Sequence, residues 1–485
     1  MSLDIGIINF GAPAAERDQG LKEYFVESES FRRMRAGEKV FLLGNRGTGK
    51  SAIFKMLAEE YRRKGDVVVE VSPDEYSYEI FSDIMAAESQ GNWAKQAAYA
   101  AAWKYLFYVL AMKKQAECDF SFLKRNSKKI YSYLRDNFSG EQYSMIDALI
   151  SYMKRIEGVK IGPYEAMIKS KDLQKLYQLE EICDLVEELK KVCDKKPIIF
   201  LVDELDRGWD ASEDAKAFVA GLFQAAVAIN THMGAGLRVV VSLRKELYEN
   251  IPLLYEDAQK VWDLFETITW EENALLKMIS KRILCNYPSY NCLSDLEAWN
   301  MLFSETLDYR QAKSFNYVVD RTLYRPREIV NFCSEIKDVA LKINASVPIN
   351  YQTISSAEYV YSENRAKDIA AEYRFQYPGL MSVFETFRGK SFNYDREDLE
   401  YHCMEVIYSG NKMDWLDSQE PEYLISVLWQ VGFIKAQATG GLKARQRSGS
   451  SYLGSHQISN LNLATINRFH IHPMFRSYFG LKEAK

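Results

Sequence analysis

Residue patterns of zinc sites, disulfide frameworks, export signals and membrane spans are all missing from this sequence. The seven cysteines are scattered singly among 485 residues and form no Cys-x-x-Cys pair, as is typical of reduced thiols in the cytoplasm. The residues after Met1 contain no basic start followed by a cleavable apolar core. The longest apolar run, 97–112, is interrupted by Lys104 and is shorter than a membrane span, so it predicts a buried helix. We therefore expect a cytoplasmic protein without a membrane partner.

An excess of positive charge is also missing. The chain carries 62 lysines and arginines against 67 aspartates and glutamates, which gives a formal net charge of -5. This balance argues against a protein whose whole surface binds nucleic acid, although local basic patches are compatible with it. The length predicts more than one hydrophobic core and about two to four domains.

What the sequence does contain is one strong motif. Residues 44–51 match the Gly-x-x-x-x-Gly-Lys-Ser pattern in full, and they lie between the apolar run Val40–Leu43 and a predicted helix over 52–63. A strand, a glycine-rich turn and a helix start aim backbone N–H groups at one point, which makes a site for the β- and γ-phosphates of a nucleotide. The glycines supply positive φ angles and leave room for phosphate oxygens. An ordinary strand-turn-helix is the alternative interpretation.

The motif predicts ATP and Mg²⁺ as the bound groups. The Lys50 ammonium would neutralise charge on the β- and γ-phosphates, and the Ser51 hydroxyl would hold Mg²⁺. The predicted cofactor-binding residues are Gly44, Asn45, Arg46, Gly47, Thr48, Gly49, Lys50 and Ser51.

A second signal is the apolar run 197–202, which ends in the acids Asp203 and Glu204. The run predicts a strand buried on both faces of a parallel sheet, and acids at its carboxyl end lie where such sheets bind ligands. Asp203 would hold Mg²⁺ through water. Glu204 would be the catalytic base that polarises the water attacking the γ-phosphate.

The run 237–244 predicts another buried strand with polar residues at its end. Ser242 would sense the γ-phosphate or the attacking water. Arg244 would either contact phosphate or pair with Asp206.

A predicted helix start follows Tyr324 and contains Arg325, Pro326 and Arg327. Proline suits the first turn of a helix, and an arginine there can reach a phosphate. Arg327 is the first candidate for this phosphate sensor and Arg325 the second. A salt bridge at the helix start is the alternative.

The order of predicted elements indicates an α/β P-loop NTPase core, a parallel sheet flanked by helices, with a helical insertion, a further run of helices over 271–374, called the lid below, and a C-terminal winged-helix domain. Within the lid, Ser355-Ser356-Ala357-Glu358 predicts a capping box that starts a helix. The predicted domains are 1–37 (N-terminal segment), 38–72 with 197–270 (core), 73–196 (helical insertion), 271–374 (lid) and 375–485 (winged-helix-like domain).

Two basic stretches are candidate contacts for DNA or RNA. Three predicted helices are followed by a hairpin that carries Lys443, Arg445 and Arg447, which is the layout of a winged helix. A winged helix that packs on the core or on a protein partner is the alternative. The second stretch, 124–129, lies beside Tyr131, and a solvated helix face is the alternative interpretation there.

Three other patterns indicate nothing further. Asn411-Lys412-Met413-Asp414 matches a guanine-reading motif, but it follows no buried strand. Residues 138–142 mimic the signature of an ABC ATPase, but they lie far from Asp203 and no switch histidine follows Ser242. The C-terminal histidines at 402, 456, 470 and 472 lack the paired spacing of a nuclease site.

Taken together, these motifs resemble those of bacterial P-loop ATPases of the AAA+/STAND type. The resemblance rests on residues 44–51, Asp203-Glu204, Ser242-Leu243-Arg244, Arg325-Pro326-Arg327 and the terminal helices and hairpin, and it covers most of the chain. It implies a sheet with the motif's strand at its centre, a helical lid and oligomer-linked hydrolysis with an arginine supplied by a second chain. Candidates for that arginine are Arg207, Arg244, Arg282 and Arg327.

The opening segment, Phe10-Gly11 through Tyr24-Phe25, is similar to a subgroup of these ATPases, in which such a segment lies beside the adenine. Relatives of this kind often serve as nucleotide switches, including in bacterial antiphage defence, with an effector on a separate chain. The primary hypothesis is therefore an ATP-dependent switch that couples nucleotide state to a nucleic-acid or protein partner. The alternatives are a nucleotide-dependent oligomeric scaffold with little turnover and a motor stimulated by nucleic acid.

Overall fold

The structure is a computed structural model that describes residues 3–72, 92–118, 124–125, 127–138, 179–206, 209, 211–251, 254, 261–408, 413–437, 451–458 and 461–483. Its contacts divide the chain into two compact units. The α/β unit comprises Glu27–Asn45 and Lys50–Thr269, and the helix-rich unit comprises Met1–Val26, Arg46–Gly49 and Trp270–Lys485.

The α/β unit is built on a five-stranded parallel sheet in the order β2-β3-β4-β1-β5. Strand β3 is buried along its whole length, as its continuous apolar run predicts. Because all five strands run in the same direction, their carboxyl ends meet at one edge of the sheet. The strands are β1 (Phe41–Gly44), β2 (Val67–Val71), β3 (Ile198–Val202), β4 (Leu237–Arg244) and β5 (Phe265–Thr267).

The strand that precedes the glycine-rich loop is not at the centre of the sheet, contrary to the implied arrangement. Strand β1 lies between β4 and the edge strand β5, and β4 is the central strand. The ring of Phe41 stacks on Phe223 with centroids 4.3 Å apart and lies 4.8 Å from the ring of Phe265. Strand β5 pairs in parallel with the outer side of β1, and this extra strand moves the centre of the sheet from β1 to β4.

The helices account for most of the remaining described residues, and the predicted buried helix over 97–112 lies inside α4. No helix in the described ranges is both long and apolar enough to cross a membrane. In chain order the α-helices are α1 (Leu21–Tyr24), α2 (Glu29–Ala36), α3 (Lys50–Lys64), α4 (Asn92–Cys118), α5 (Lys128–Phe138), α6 (Leu179–Cys193), α7 (Glu213–Met233), α8 (Lys245–Glu249), α9 (Glu272–Asn286), α10 (Asp295–Leu302), α11 (Ser314–Val319), α12 (Pro326–Lys342), α13 (Tyr351–Glu372), α14 (Leu380–Glu385), α15 (Arg396–Tyr408), α16 (Pro421–Gln430) and α17 (Pro473–Phe479).

The described helices of the insertion, α4 to α6, share one hydrophobic core with the sheet. The ring of Phe107 on α4 meets that of Phe200 on β3, with centroids 5.0 Å apart. Helix α4 also packs closely on α7, because an added Cβ at Gly221 would lie 2.6 Å from Cβ of Tyr99. A glycine is needed at this crossing, and the described helices of the insertion share the core of the α/β unit.

The helix-rich unit has its own core, in which α12 and α13 pack side by side. The rings of Phe332 and Tyr361 stack across this contact with centroids 4.2 Å apart. Helix α12 begins at Pro326, as predicted, and Arg325 is its N-cap residue.

The predicted capping box at 355–358 is wrong. Helix α13 begins five residues earlier than the box predicts, at Tyr351, and its N-cap is Asn350, whose side chain accepts a hydrogen bond from the N–H of Thr353 at 3.1 Å. Ser356 lies inside the helix, where its hydroxyl donates to the carbonyl of Gln352 at 2.8 Å. A Ser-x-x-Glu pattern does not by itself fix a helix start, because serine can also bond to the preceding helical turn.

A four-stranded antiparallel sheet forms near the C-terminus in the order β6-β9-β7-β8. The three predicted helices of this region correspond to α14, α15 and α16. Strands β7 and β8 pair on either side of residues 438–450, so Lys443, Arg445 and Arg447 lie outside the described residues. The strands are β6 (Asn393–Asp395), β7 (Ile434–Gln437), β8 (Tyr452–Leu453) and β9 (Arg468–Ile471).

Candidate functional site

The glycine-rich loop joins the end of β1 to the start of α3, as predicted. Gly47 has a φ of 81° and Gly49 a φ of 98°, which are left-handed values that favour glycine. An added Cβ at Gly49 would meet no atom within 4 Å, so the backbone there borders open space. The loop therefore offers an anion room to approach its peptide groups.

Lys50, the first residue of α3, folds over the start of the loop. Its Nζ donates hydrogen bonds to the carbonyl oxygens of Gly44, at 2.8 Å, and Asn45, at 3.2 Å. Burial lowers the pKa of Lys50, while the carboxylates of Glu246 and Asp203 act in the opposite direction. An anion bound beside Lys50 would stabilise its charged form.

Asp203 and Ser242 meet at the carboxyl edge of the sheet. Asp203 directly follows β3, and Ser242 lies in the neighbouring strand β4. The buried Ser242 hydroxyl donates a hydrogen bond to Oδ1 of Asp203. The structure therefore brings these two predicted site residues together, with the serine orienting the carboxylate.

Glu204 adopts a backbone conformation that is uncommon for a residue other than glycine, with a φ of 63°. The hydroxyl of Ser72, which directly follows β2, donates to Oε2 of Glu204 at 2.8 Å. Backbone strain of this kind costs free energy and is concentrated at functional sites. The strain and the Ser72 contact together fix the Glu204 carboxylate at the edge of the sheet.

Arg244 at the end of β4 forms an ion pair with Asp206, which was one of its two predicted roles. Its Nη1 also lies 3.8 Å from Oε1 of Glu246, a buried acid on α8. Arg244 is thus held between two carboxylates, and Glu246 joins the group of residues around Lys50.

In the helix-rich unit, both candidate sensor arginines contact loop residues. Nη1 of Arg325 donates to the carbonyl of Arg46 at 3.2 Å, and the backbone N–H of Arg327 donates to the carbonyl of Gly47 at 3.3 Å. Arg325 is 5% exposed and pairs with Glu372 at 2.8 Å. These partners make Arg325 a structural donor to the loop backbone, whereas the side chain of Arg327 is half-buried.

The opening segment is anchored by a buried cluster. The hydroxyl of Tyr24 donates to Asp18, and Nη2 of Arg282 lies 3.2 Å from Oδ2 of the same aspartate. Arg282 also donates to the carbonyl of Phe10 and stacks 4.2 Å from the centre of the Tyr24 ring. Because Arg282 is 7% exposed, it is not available to a second chain as the trans-acting arginine.

The same segment borders a cavity of about 470 Å³. Asn9 and Asn286 close one side of it, since Nδ2 of Asn286 donates to the carbonyl of Asn9 at 3.1 Å. The lining is mostly polar and consists of Asn9, Gly11, Ala12, Arg17, Asp18, Gln19, Gly20, Glu23, Tyr24, Cys285 and Asn286.

The basic stretch at 124–129 lies at the start of α5, and its lysines and arginine are exposed. Lys129 pairs with Asp184 at 3.4 Å, and Nζ of Lys124 lies 5.5 Å from the centre of the Tyr131 ring. An exposed basic face of this kind fits both interpretations of the stretch, the nucleic-acid contact and the solvated helix face.

His402 is buried and has a structural role. Its Nδ1 accepts a hydrogen bond from the ammonium of Lys390 at 2.8 Å, and its Nε2 lies 3.0 Å from the hydroxyl of Thr386, which itself donates to a carbonyl. The neutral ring with a proton on Nε2 satisfies both contacts. Burial and the Lys390 charge lower the pKa of His402 to about 4.

The neutral state of His402 gives a pH-dependent prediction. The unfolded chain binds a proton near pH 6.5, but the folded chain does so only near pH 4, so this stabilisation is complete above about pH 6.5 and is lost as the pH falls. We expect the loss to reach roughly 3 kcal/mol between these values. The measurement is the free energy of unfolding of wild type and His402→Gln from pH 7 to 4.5.

The substituted protein should show a shallower dependence on pH than wild type. Tyr401→Phe, at the exposed neighbouring position, is the matched control and should keep the wild-type slope. Identical slopes for His402→Gln and wild type would contradict the assignment of a buried neutral histidine.

Sequence reasoning missed Ser72, Glu246 and Trp270, whose indole N–H donates a hydrogen bond to the carbonyl of Thr48 at 2.8 Å. Glu246 stands two residues after a strand end, a position that could have marked it as a site residue, whereas no pattern singles out Ser72 or Trp270.

Among the described residues, no three or more histidines, cysteines or acids gather as a metal cluster. Some residues that the sequence analysis singled out lie outside the described ranges, namely Arg207, Lys443, Arg445, Arg447, Asn411, Lys412 and 139–142.

Two family models match parts of this chain, and one curated protein is similar to most of it. Residues 17–90, which include the glycine-rich loop, match the family model of DUF815, described as a protein of unknown function. Residues 273–370, which cover α9 to α12 and most of α13, match FunZ_C, the FunZ-associated C-terminal helical domain. The putative transposon gamma-delta 80.3 kDa protein of Escherichia coli (strain K12) is 22% identical over 484 residues. The alignment covers 96% of this chain, which spans 66% of the length of that relative.

Proposed function

We propose that this protein binds and hydrolyses ATP as a molecular switch of the AAA+-like class. The observation that carries the proposal is the grouping of Lys50 with Asp203 and Ser242 at the carboxyl edge of a parallel sheet, where open α/β sheets bind ligands. The α/β core and the match to DUF815, an AAA+-like ATPase-related domain, support the same class.

In this proposal the phosphates of ATP bind along Gly44 to Ser51. The positive φ angles of Gly47 and Gly49 and the open space at Gly49 suit close approach of phosphate oxygens. The resemblance would place the adenine beside the opening segment, which lines a mostly polar cavity within the helix-rich unit.

The residues present also fit Mg²⁺. Ser51 and Asp203 would hold it, because hydroxyl and carboxylate oxygens are the ligands it prefers and it needs only one or two from the protein when phosphates supply others. When bound, Mg²⁺ neutralises charge on the phosphate oxygens. The hydrogen bond from Ser242 orients the Asp203 carboxylate for this task.

We assign the remaining catalytic roles as follows. Glu204 acts as the general base toward the attacking water, with its carboxylate positioned by Ser72. Lys50 stabilises the charge that develops on the β- and γ-phosphates. Arg244 holds the carboxylate of Asp206 in place at the edge of the sheet through their ion pair. Arg327 remains the proposed phosphate sensor.

The partner of the switch is proposed from the comparison. The relative from Escherichia coli carries the name of a transposon protein, which favours DNA or a protein that acts on DNA. Antiphage defence, implied by the resemblance, gains no support from it. We propose a homo-oligomer that contacts DNA or RNA through Lys443, Arg445 and Arg447 of a winged helix and passes its state to a separate effector protein.

The test is ATP turnover with and without single-stranded DNA, duplex DNA and RNA, together with the mass of the protein in solution. We expect ATP turnover that one of these nucleic acids stimulates. Charge reversal of Lys443, Arg445 and Arg447 should remove the stimulation and leave basal turnover unchanged. The same reversal at Arg63 and Lys64, which are exposed at the end of α3 and lie outside both basic stretches, is the matched control.

Two other results would favour the alternatives. Assembly with ATP and equally with a non-hydrolysable analogue, at negligible turnover, indicates the oligomeric scaffold. Turnover that depends almost wholly on nucleic acid indicates the motor. Absence of ATP binding would overturn all three functions.

A further inference from the structure

Three successive carbonyl groups of the glycine-rich loop accept hydrogen bonds within the helix-rich unit. Arg46 receives one from Nη1 of Arg325 at 3.2 Å. Gly47 receives one from the backbone N–H of Arg327 at 3.3 Å. Thr48 receives one from the indole N–H of Trp270 at 2.8 Å. We call Trp270 and Arg325 the brace residues, because their side chains supply the first and last of these contacts.

The carbonyl contacts determine where the loop's N–H groups point. A peptide bond is planar and trans, so the carbonyl of one residue and the N–H of the next point in opposite directions. Holding the carbonyls of residues 46 to 48 therefore directs the N–H groups of Gly47, Thr48 and Gly49 away from the donors. Successive N–H groups that face the same way form an anion-binding concavity.

Arg325 is itself rigidly held. It is 5% exposed, its Nη1 lies 2.8 Å from Oε2 of Glu372 at the end of α13, and its Nε lies 3.8 Å from Oε1 of Glu328 on α12. Two carboxylates on two helices thus fix the guanidinium that holds the carbonyl of Arg46. An arginine committed to these partners contacts the loop backbone and does not bind phosphate directly.

Trp270 is the second anchor. Its ring packs against the hydrophobic core of the helix-rich unit, while its N–H reaches the carbonyl of Thr48. The ring orientation is set by packing, so the donor is fixed before any ligand arrives. A preformed arrangement of donors costs less free energy when a ligand binds.

We propose that Trp270 and Arg325 are positioning residues that hold the loop in its phosphate-binding shape and sense its occupancy. The inference rests on the proposed function, because it concerns ATP binding at the same loop. Phosphate that binds to the N–H side polarises the same peptide groups whose carbonyls the brace residues hold. Nucleotide state is thereby transmitted to the helix-rich unit through the loop backbone.

The test compares Trp270→Phe with Trp299→Phe. Both substitutions keep an aromatic ring and remove one indole hydrogen bond, since Nε1 of Trp299 donates to Oγ of Ser314 at 2.9 Å in the core of the same unit. Removing one hydrogen bond should raise the Kd for ATP about 5-fold in Trp270→Phe. Trp299→Phe should keep the wild-type Kd, even if its melting temperature falls. The KM should rise in Trp270→Phe with kcat nearly unchanged, because the lost contact acts on binding.

A second measurement uses the unsubstituted protein. With 5-fluorotryptophan at all eight tryptophans, the resonance that is missing from Trp270→Phe identifies position 270. We expect this resonance to shift when ATP is added and the Trp299 resonance to stay in place.

The outcomes separate the two proposals. If wild type binds ATP without a shift of its Trp270 resonance, and Trp270→Phe binds ATP equally well, the proposed role of the brace residues is overturned and the ATPase proposal stands. Equal weakening in both substituted proteins indicates general loosening and also overturns the brace. If wild type fails to bind ATP, the proposed function itself fails.

Discussion

Lys50→Ala is expected to raise the Kd for ATP at least about 100-fold, the largest loss that a single substitution in this chain should cause. A hydrogen bond between a charged donor and phosphate contributes about 1.5–3 kcal/mol, and Lys50 would make contacts to two phosphates. The ammonium already lies over the loop, held by the carbonyls of Gly44 and Asn45. Isothermal titration calorimetry with ATP measures the loss directly.

The loss should not come from unfolding. Because burial lowers the pKa of Lys50, its charge is costly in the folded chain without a bound anion, so the melting temperature of Lys50→Ala should not fall. Lys64→Ala, at the exposed end of the same helix, is the matched control and should keep the wild-type Kd. Binding of ATP by Lys50→Ala within a few fold of wild type would falsify the assignment of the loop.

Glu204→Gln is expected to bind ATP normally and to hydrolyse it about 10²- to 10⁴-fold more slowly, the range that a general base supplies. Glutamine has the same length, so it can still accept the hydrogen bond from Ser72 and keep the unusual backbone conformation. What it cannot do is take a proton from water. The measurement is single-turnover release of phosphate together with the Kd for ATP.

The control for this substitution is Glu70→Gln in β2, where the carboxylate is exposed and paired with Arg62. It should leave turnover unchanged. If Glu204→Gln hydrolyses ATP at the wild-type rate, Glu204 is not the base, and the buried Glu246 beside Arg244 becomes the next residue to substitute.

The parts of the fold that sequence alone predicts are those set by local pattern. The apolar run of β3 and the glycine-rich turn before Lys50 each specify their own conformation, and both appear where the sequence places them. The order of the strands does not follow from any local run. The position of β1 beside an edge strand depends on its pairing with β5, a segment more than two hundred residues further along the chain.

The same distinction applies to the candidate site. Asp203 and Ser242 could be predicted because each stands at the end of a recognisable strand. Trp270 could not, since its role depends on a hydrogen bond to Thr48, more than two hundred positions away in sequence. Arg282 shows the reverse error: its sequence context allowed an exposed role, and only its pairing with Asp18 shows that it is buried.

The close crossing of α4 and α7 at Gly221 limits how this protein could be shortened or recombined. A chain without 73–196 would leave the apolar side of α7 facing water, with a glycine where a covering side chain would be needed. An exchange of this region between relatives would also have to exchange α7, because α4 and α7 pack closely against each other at Gly221. Helices α4 to α6 and the sheet therefore form one folding unit, and the smallest chain that can fold as the α/β unit contains both.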